Sequence, residues 1–184
     1  TDAMDRLRTT GDSHGRCMVA EVMGRHVGWI ALHAGMAAGA HVICIPEVPM
    51  SIDEICEQVT SAHARGRAPL VVVSEGFKLK DMDEAYSDKG LDAFNRPRLG
   101  GISELLAPEI ERITGVETRA TVLGHIQRGG SPSGFDRVLA TRLGLHAADA
   151  VMDEAWGQMV AMRGTEIVRV PFADALGELN TVPL

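Results

Sequence analysis

The sequence predicts an α/β fold with a mostly parallel sheet and helices on both faces. Short apolar runs alternate with stretches of helical periodicity along most of the 184 residues, and this alternation is typical of βα units. The run Leu70–Val73 is unbroken aliphatic, as expected for a parallel strand that is buried on both faces. With 45% hydrophobic residues, the chain can form the core of one α/β domain.

The first elements follow from local apolar patterns and their polar breaks. The run Cys17–Met23 is apolar except for Glu21 and is short enough for a strand, and Gly24 turns the chain after it. In chain order, we predict the end of a helix (Thr1–Thr10), a polar loop (Thr10–His14), a strand (Cys17–Met23), a helix (Val27–Ala38) and a strand (His41–Ile45).

The middle of the chain carries clearer boundary signals. Ser51 with Glu54 three residues later forms a capping box, which predicts a helix that runs to about Arg65. The strand Leu70–Val73 then places Glu75 at its carboxyl end. Lys78–Arg98 has few aliphatic residues and is predicted to be a loop or flap. A helix over Ile102–Ile113 should end at Gly115.

The stretch Arg119–Arg137 is predicted to form a strand, a glycine-rich loop and the start of a helix. After that helix, a hairpin should lie near the end of the sheet. The predicted bounds are a strand at Ala120–Leu123, a helix from near Phe135 through Val138–Met152, hairpin strands at Met159–Met162 and Ile167–Val170, and a short helix at Ala173–Leu179.

This same stretch is a candidate anion site. A strand end, a glycine-rich turn and a helix start present free backbone amides and a positive helix end. Arg119, His125 and Arg128 are expected to add donors on the same edge of the sheet, and a phosphate is the simplest ligand that uses all of them. The alternative is that each of these side chains is merely solvated, since a Gly-Gly turn beside an arginine is common.

Composition excludes several classes of protein. The net charge of −7 argues against nucleic acid as a partner, and no apolar run approaches 18 residues, so we expect no membrane span. Cys17, Cys44 and Cys56 have no metal-like spacing and are expected to be reduced thiols in the core. We therefore expect a soluble cytoplasmic protein.

Three segments resemble the 6-phosphofructokinase family. LGHIQRGGSPSGFDR (Leu123–Arg137) is similar to the family's sugar-phosphate motif, and Ser13–Gly35 is similar to its MGRxxGxxA segment. VVVSEG (Val71–Gly76) is a third segment that resembles the family. The resemblance covers 1–184 as the family's C-terminal, sugar-phosphate-binding half, with a phosphofructokinase-like lobe plus terminal elements. The nucleotide-binding half would precede Thr1.

The resemblance implies a role for each candidate residue. His125 and Arg128 would bind the 6-phosphate of fructose 6-phosphate, and Arg16 and Arg119 would reach it from a neighbouring subunit. Arg25 would neutralise charge on the phosphoryl group that is transferred to the 1-hydroxyl, giving fructose 1,6-bisphosphate. The remaining substrate-binding positions are Met23, Gly24, Glu75 and Gln127. Without the resemblance, Arg25 could equally pair with Glu21 or Glu47.

The resemblance also implies partners and limits. The catalytic base, the Mg²⁺ ligands and the donor site would lie in the other half, so this chain alone should be inactive. The donor would be ATP, or alternatively pyrophosphate as in the mixed bacterial subgroup, and the enzyme would be a homodimer or homotetramer with shared active sites. A non-catalytic sugar-phosphate-binding module is a further alternative.

A regulatory site is less completely represented. Arg8, Gly39 and Arg67 resemble parts of the family's effector pocket, but His41 stands where the family has an acidic residue. The resemblance therefore does not establish effector control in its usual form.

Overall fold

A computed structural model describes residues 1–80 and 101–183. The contacts divide the chain into two compact units, instead of the single domain that the length suggests. The first unit is Thr1–Arg128 together with Thr181–Leu184, and the second is Gly129–Asn180.

The first unit contains a four-stranded parallel sheet, as predicted. Its strand order is β2-β3-β1-β4, so β1 and β3 are central and β4 lies at an edge. The bounds are β1 Cys17–Val22, β2 Val42–Cys44, β3 Leu70–Ser74 and β4 Thr118–Val122. β4 therefore begins two residues earlier than predicted and includes Arg119.

Helices cover both faces of this sheet, which confirms the predicted layers. They are α1 Asp2–His14, α2 Trp29–Ala38, α3 Ile52–Ala64 and α4 Ile102–Thr114. Because side chains alternate along a strand, Val19 packs in one core cluster with Ile55 of α3 and Leu106 of α4. Ala20 packs in the other with Met4 of α1 and Ala31 of α2. The capping box at Ser51 and the end of α4 at Gly115 are as predicted.

The predicted loop at Thr10–His14 is wrong, because α1 continues to His14. The polar side chains that suggest a loop are bonded within the helix. Thr10 Oγ1 donates to the Arg6 carbonyl at 2.9 Å and Ser13 Oγ to the Thr10 carbonyl at 2.9 Å. Gly15 then ends the helix in the left-handed conformation.

The three cysteines are free, buried thiols, as predicted. Burial raises the pKa of the Cys17 and Cys44 thiols to about 12, so neither is a reactive thiolate near neutral pH.

The second unit contains a helix and a hairpin. Its elements are α5 Gly134–Met152, β5 Gln158–Arg163, β6 Glu166–Pro171 and the short helix α6 Phe172–Ala175. The predicted hairpin is confirmed, and it forms a two-stranded antiparallel sheet that is separate from the four-stranded one. α6 is shorter than predicted and begins one residue earlier.

Most of the predicted flap, residues 81–98, lies outside the described residues. Just before it, Leu79 forms a parallel bridge with Met50. In the part of the chain that the structure describes, no helix is long and apolar enough to cross a membrane.

Candidate functional site

The carboxyl ends of β1, β3 and β4 meet at one edge of the sheet. The register pairs Val22 of β1 with Ser74 of β3, and Glu21 of β1 with Val122 of β4. The residues that follow these strands are therefore neighbours, as is usual for ligand sites in parallel sheets. They include most of the predicted site: Met23, Gly24, Arg25, Glu75, His125, Gln127 and Arg128.

The turn after β1 packs tightly against the end of β3. Ser74 Oγ donates to the Gly24 carbonyl at 2.5 Å, and the Gly76 amide donates to the same carbonyl at 3.0 Å. Gly24 has a φ of +143°, and a Cβ added there would lie 2.4 Å from Ser74 Oγ. The packing of the protein itself thus requires glycine at this position.

Glu75 is fixed at this edge by both its main chain and its side chain. Its amide donates to the Val22 carbonyl at 2.8 Å, and its Oε1 accepts from the Gly24 amide at 3.4 Å. The carboxylate is half-buried and retains capacity to accept further hydrogen bonds.

The residues after β4 form a short 3₁₀-helix, Gly124–Arg128, where an irregular loop was predicted. Gln127 holds this turn to β1, because its Oε1 accepts from the Met23 amide at 3.2 Å and its Nε2 donates to the Gly124 carbonyl at 3.2 Å. Gln127 was predicted to bind substrate, and both ends of its amide are engaged with main chain.

His125 and Arg128 lie in the same 3₁₀-helix and are exposed. Neither forms a hydrogen bond or ion pair with any residue that the structure describes. Two such donors, one of them always charged, can bind an anion without first giving up a protein partner. The helix start at α5 belongs to the second unit, and there the Asp136 carboxylate accepts from Ser133 in a capping box.

Arg16 and Arg119 lie at the opposite, amino ends of the strands. Arg16 precedes β1, and Arg119 is paired with Met18 near the start of β4. Arg119 lies near the start of β4, whereas His125 lies beyond the carboxyl end of that strand, in the 3₁₀-helix that begins at Gly124. The prediction that Arg119 shares an edge with His125 and Arg128 within this chain is therefore wrong. The cause is that β4 starts earlier than its apolar residues indicate.

Both arginines bind the carboxylate of Glu117. Arg16 Nε lies 2.8 Å from Glu117 Oε2, and Arg119 Nη2 is paired with Glu117 Oε1. The Arg16 guanidinium lowers the pKa of this carboxyl, and Arg119 adds to the effect. Arg119 also borders a groove of about 560 Å³ between α4 and β4, where Glu111 lies 3.5 Å away.

Arg25 is half-buried in the turn that follows Gly24. The end of β3 approaches it closely, because a Cβ at Gly76 would lie 1.9 Å from the Arg25 carbonyl oxygen. Of the two carboxylates that could alternatively pair with Arg25, Glu47 accepts from the amides of Gly28 at 3.0 Å and Val182 at 3.0 Å. Burial raises the pKa of Glu47, and these amide bonds outweigh it, so that its pKa is lowered overall.

The other carboxylate, Glu21, is a functional candidate that sequence reasoning missed. It is only 2% exposed and accepts hydrogen bonds from Gly101 and Ser103 at the start of α4. A single charged residue inside an apolar strand is the signal that could have identified it, since buried charges need dedicated partners.

The positions that resemble an effector pocket surround His41. Arg8 Nη1 donates to the Ala38 carbonyl at 2.5 Å, and His41 Nδ1 accepts from the Leu70 amide at 3.1 Å. Burial lowers the pKa of His41, and the positive charges of Arg8, Arg65 and Arg67 lower it further, although Asp12 opposes them. These surroundings therefore favour the neutral form of the histidine.

Among residues 1–80 and 101–183, no group of three or more histidine, cysteine or carboxylate side chains is arranged to hold a metal ion.

Comparison with known proteins identifies related chains over nearly the whole length. The family model described as phosphofructokinase matches residues 1–151. A pyrophosphate–fructose 6-phosphate 1-phosphotransferase from Streptomyces coelicolor is 56% identical over 182 residues, which cover 99% of this chain and 53% of that protein. ATP-dependent 6-phosphofructokinase 3 of the same organism is 49% identical over 184 residues, covering 100% and 54%.

A solved structure shows the same fold. The crystal structure of a pyrophosphate-dependent phosphofructokinase from Marinobacter aquaeolei matches with a TM-score of 0.81 at 21% identity, covering 99% of this chain and 46% of that one. The chain spans about half the length of the curated relatives that it matches.

Proposed function

Because the chain belongs to the phosphofructokinase family, we propose that it supplies the fructose 6-phosphate-binding part of a 6-phosphofructokinase. The complete enzyme would transfer a phosphoryl group to the 1-hydroxyl of fructose 6-phosphate and release fructose 1,6-bisphosphate. The relatives described above carry these activities in their names, with either pyrophosphate or ATP as the donor.

The observation that carries the proposal is a pair of donors, His125 and Arg128, that have no partner among residues 1–80 and 101–183 and lie at the edge of the sheet that also holds Glu75. A sugar phosphate has an anionic end and a hydroxyl-bearing ring. The two donors suit the 6-phosphate, and the carboxylate of Glu75 suits the ring hydroxyls. Gln127 fixes the spacing of these groups, because it ties their 3₁₀-helix to the end of β1.

The other residues of this edge have supporting roles in the proposal. Met23 and Gly24 line the sugar, and Arg25 neutralises negative charge on the phosphoryl group as it transfers. Phosphoryl transfer depends mainly on such positioning and charge neutralisation, together with a base for the attacking hydroxyl. We assign no base within this chain, so the chain alone should not catalyse the reaction.

The shared-subunit arrangement explains where Arg16 and Arg119 lie. Both lie at the amino ends of the strands, the opposite edge from His125, and we propose that a neighbouring copy presents them to the phosphate. Both are already held in place by Glu117, so little ordering would remain to be done on assembly. We propose a homodimer or homotetramer in which each site is completed by a second subunit.

The donor and its Mg²⁺ would be held by the part of the enzyme that this chain does not include. ATP is our first proposal for the donor, and a pyrophosphate-dependent enzyme is the second candidate. The second candidate is retained because this chain is 56% identical to the pyrophosphate enzyme and 49% identical to the ATP enzyme of the same organism. We further propose that the enzyme acts in the cytoplasm.

A segment exchange tests the function. This chain would replace the matching segment in each of the two Streptomyces coelicolor relatives, and formation of fructose 1,6-bisphosphate would be measured with ATP and with pyrophosphate. We expect both hybrids to be active and each to use the donor of its host. Folded hybrids without activity would contradict the proposal, and a donor that follows this chain would contradict our placement of the donor site.

A further inference from the structure

Glu21 is a buried carboxylate in the central strand β1. On the face of the sheet that α3 and α4 cover, β1 presents Cys17, Val19 and then Glu21, which is 2% exposed. A carboxylate removed from water destabilises the fold unless its oxygens are satisfied, and an aliphatic residue would fill this position at lower cost.

The carboxylate is satisfied entirely by the start of α4, as far as the described residues show. Its Oε1 accepts from the Gly101 amide at 2.9 Å. Its Oε2 accepts from the Ser103 amide and from Ser103 Oγ, both at 2.9 Å. These donors are unpaired groups of a helix N-terminus, whose positive end also favours the charge.

This arrangement differs from the local capping of α3. There, Ser51 and Glu54 cap their own helix within four residues of chain. α4 has Gly101 at its N-cap, a residue without a side chain, and among the described residues its cap comes from a residue 80 positions away. A local cap would stabilise α4 alone, whereas Glu21 also fixes where α4 begins relative to β1.

The main chain of Glu21 belongs to the functional edge. Its carbonyl accepts from the Leu123 amide at 3.0 Å, the last link before the 3₁₀-helix that carries His125 and Arg128. Two residues later, Met23 donates to Gln127. One residue thus joins the start of α4 to both strand ends that form the proposed site.

We propose that Glu21 is a positioning residue for the sugar-phosphate site, a role that rests on the proposed function. It contacts no substrate. Its carboxylate locks α4 against β1 and so holds the ends of β1 and β4 at the separation that places Met23, Gln127 and His125. A displacement of about 1 Å at such a site can lower the rate by about a hundredfold, so even a partial loss of this lock should be measurable.

The test compares Glu21→Gln with Glu54→Gln in the active segment-exchange hybrid. Both changes neutralise a carboxylate that caps a helix, but only Glu21 is bonded to the functional edge. We expect Glu21→Gln to raise the KM for fructose 6-phosphate about tenfold or more, and Glu54→Gln to change it less than about twofold, although both lower the melting temperature. An unchanged KM in Glu21→Gln would reduce the residue to a plain helix cap and overturn the proposal.

Amide hydrogen exchange on the chain itself supplies a second measurement. Glu21→Gln should accelerate exchange at Gly101 and Ser103 and, about tenfold, at Leu123 and Met23 as well. Acceleration confined to Gly101 and Ser103 would overturn the proposal. If Glu21→Gln does not fold, Ser103→Ala removes the hydrogen bond from Ser103 Oγ to Glu21 and retains the carboxylate charge. The same amides should then exchange faster, by a smaller factor.

The two proposals fail in different ways. A wild-type hybrid that does not respond to fructose 6-phosphate would contradict the proposed function before any substitution is made, and with it this role. If the wild-type hybrid responds to fructose 6-phosphate and Glu21→Gln has the same KM for it, only the positioning role is contradicted.

Discussion

The Met23 amide donates a 3.2 Å hydrogen bond to the side-chain Oε1 of Gln127. The end of β1 and the 3₁₀-helix after β4 are thus connected by a side chain, just beyond the point where the backbone ladder between the two strands ends. Both ends of the Gln127 amide are engaged with main chain, so our proposal assigns the phosphate contacts to His125 and Arg128.

Replacing Gln127 with alanine should therefore loosen the site with little effect on the fold. The substitution removes two half-buried hydrogen bonds between neutral groups, and each costs about 1 kcal/mol of stability. We expect a several-fold weaker affinity for fructose 6-phosphate in the hybrid enzyme and a melting temperature lower by a few degrees. Gln58→Ala on the exposed face of α3 is the control and should alter neither. Full affinity in Gln127→Ala would remove the residue from the site.

Gly24→Ala should destabilise the first unit regardless of ligand. The new Cβ would meet Ser74 Oγ at 2.4 Å and the Val27 carbonyl oxygen at 2.7 Å, in a backbone conformation that disfavours side chains. We expect a loss of about 2 kcal/mol or more in the free energy of unfolding, measured by denaturant titration. Gly144→Ala in α5 meets no atom within 4 Å and should be neutral or slightly stabilising. Equal stability of the two variants would show that the packing argument for Gly24 is mistaken.

Arg25→Ala should lower turnover more than affinity. A charge that is most useful when the phosphoryl group is in transit contributes little to ground-state binding. We expect kcat in the hybrid to fall at least about tenfold, with a smaller change in KM for fructose 6-phosphate. Arg6→Ala on the exposed side of α1 makes the same change in net charge and should leave both constants unaltered. Unchanged turnover in Arg25→Ala would dismiss the catalytic role.

His41 should make the first unit sensitive to acid. Its Nδ1 accepts from the Leu70 amide, so protonation there would break a bond between β2 and β3 beside three arginines. Since the folded-state pKa is lowered, the neutral histidine contributes stability above its unfolded pKa of about 6.5, and this contribution is lost as the pH falls below that value. His41→Asn keeps an acceptor that does not titrate.

The measurement is the melting temperature between pH 7.5 and pH 5. We expect a smaller drop on acidification in His41→Asn than in the wild type, while His63→Asn at the exposed end of α3 should follow the wild type. If the melting temperature of His41→Asn falls on acidification as much as that of the wild type, this account of the acid sensitivity is contradicted.

Local patterns were sufficient to predict the layers of the first unit. The strand Leu70–Ser74, the capping box at Ser51 and the glycine that ends α4 each depend on residues close in sequence, so the sequence contains their signals. The motif residues around His125 were likewise placed at a strand end correctly. The error at Thr10–His14 has a local cause too, because hydroxyl side chains can bond within a helix as readily as they can break it.

Features that depend on distant residues were not predictable. Nothing near Glu21 in the sequence reveals that its partners are 80 residues away. Arg119 was assigned to the wrong end of β4, because the apolar residues of that strand begin after its true first residue. The hairpin Gln158–Pro171 was recognised from its pattern, but no local signal says which sheet a hairpin joins.

A thermal-shift titration of the hybrid with fructose 6-phosphate tests the central claim most directly, because a ligand that binds only the folded form raises the melting temperature. We predict a saturable rise with fructose 6-phosphate that is absent with fructose or inorganic phosphate at equal concentration. The rise should be strongly reduced in Arg128→Ala, where charged hydrogen bonds worth about 2 kcal/mol or more are lost. No rise with the wild type, or the same rise with Arg128→Ala, would contradict the assignment of this edge as the sugar-phosphate site.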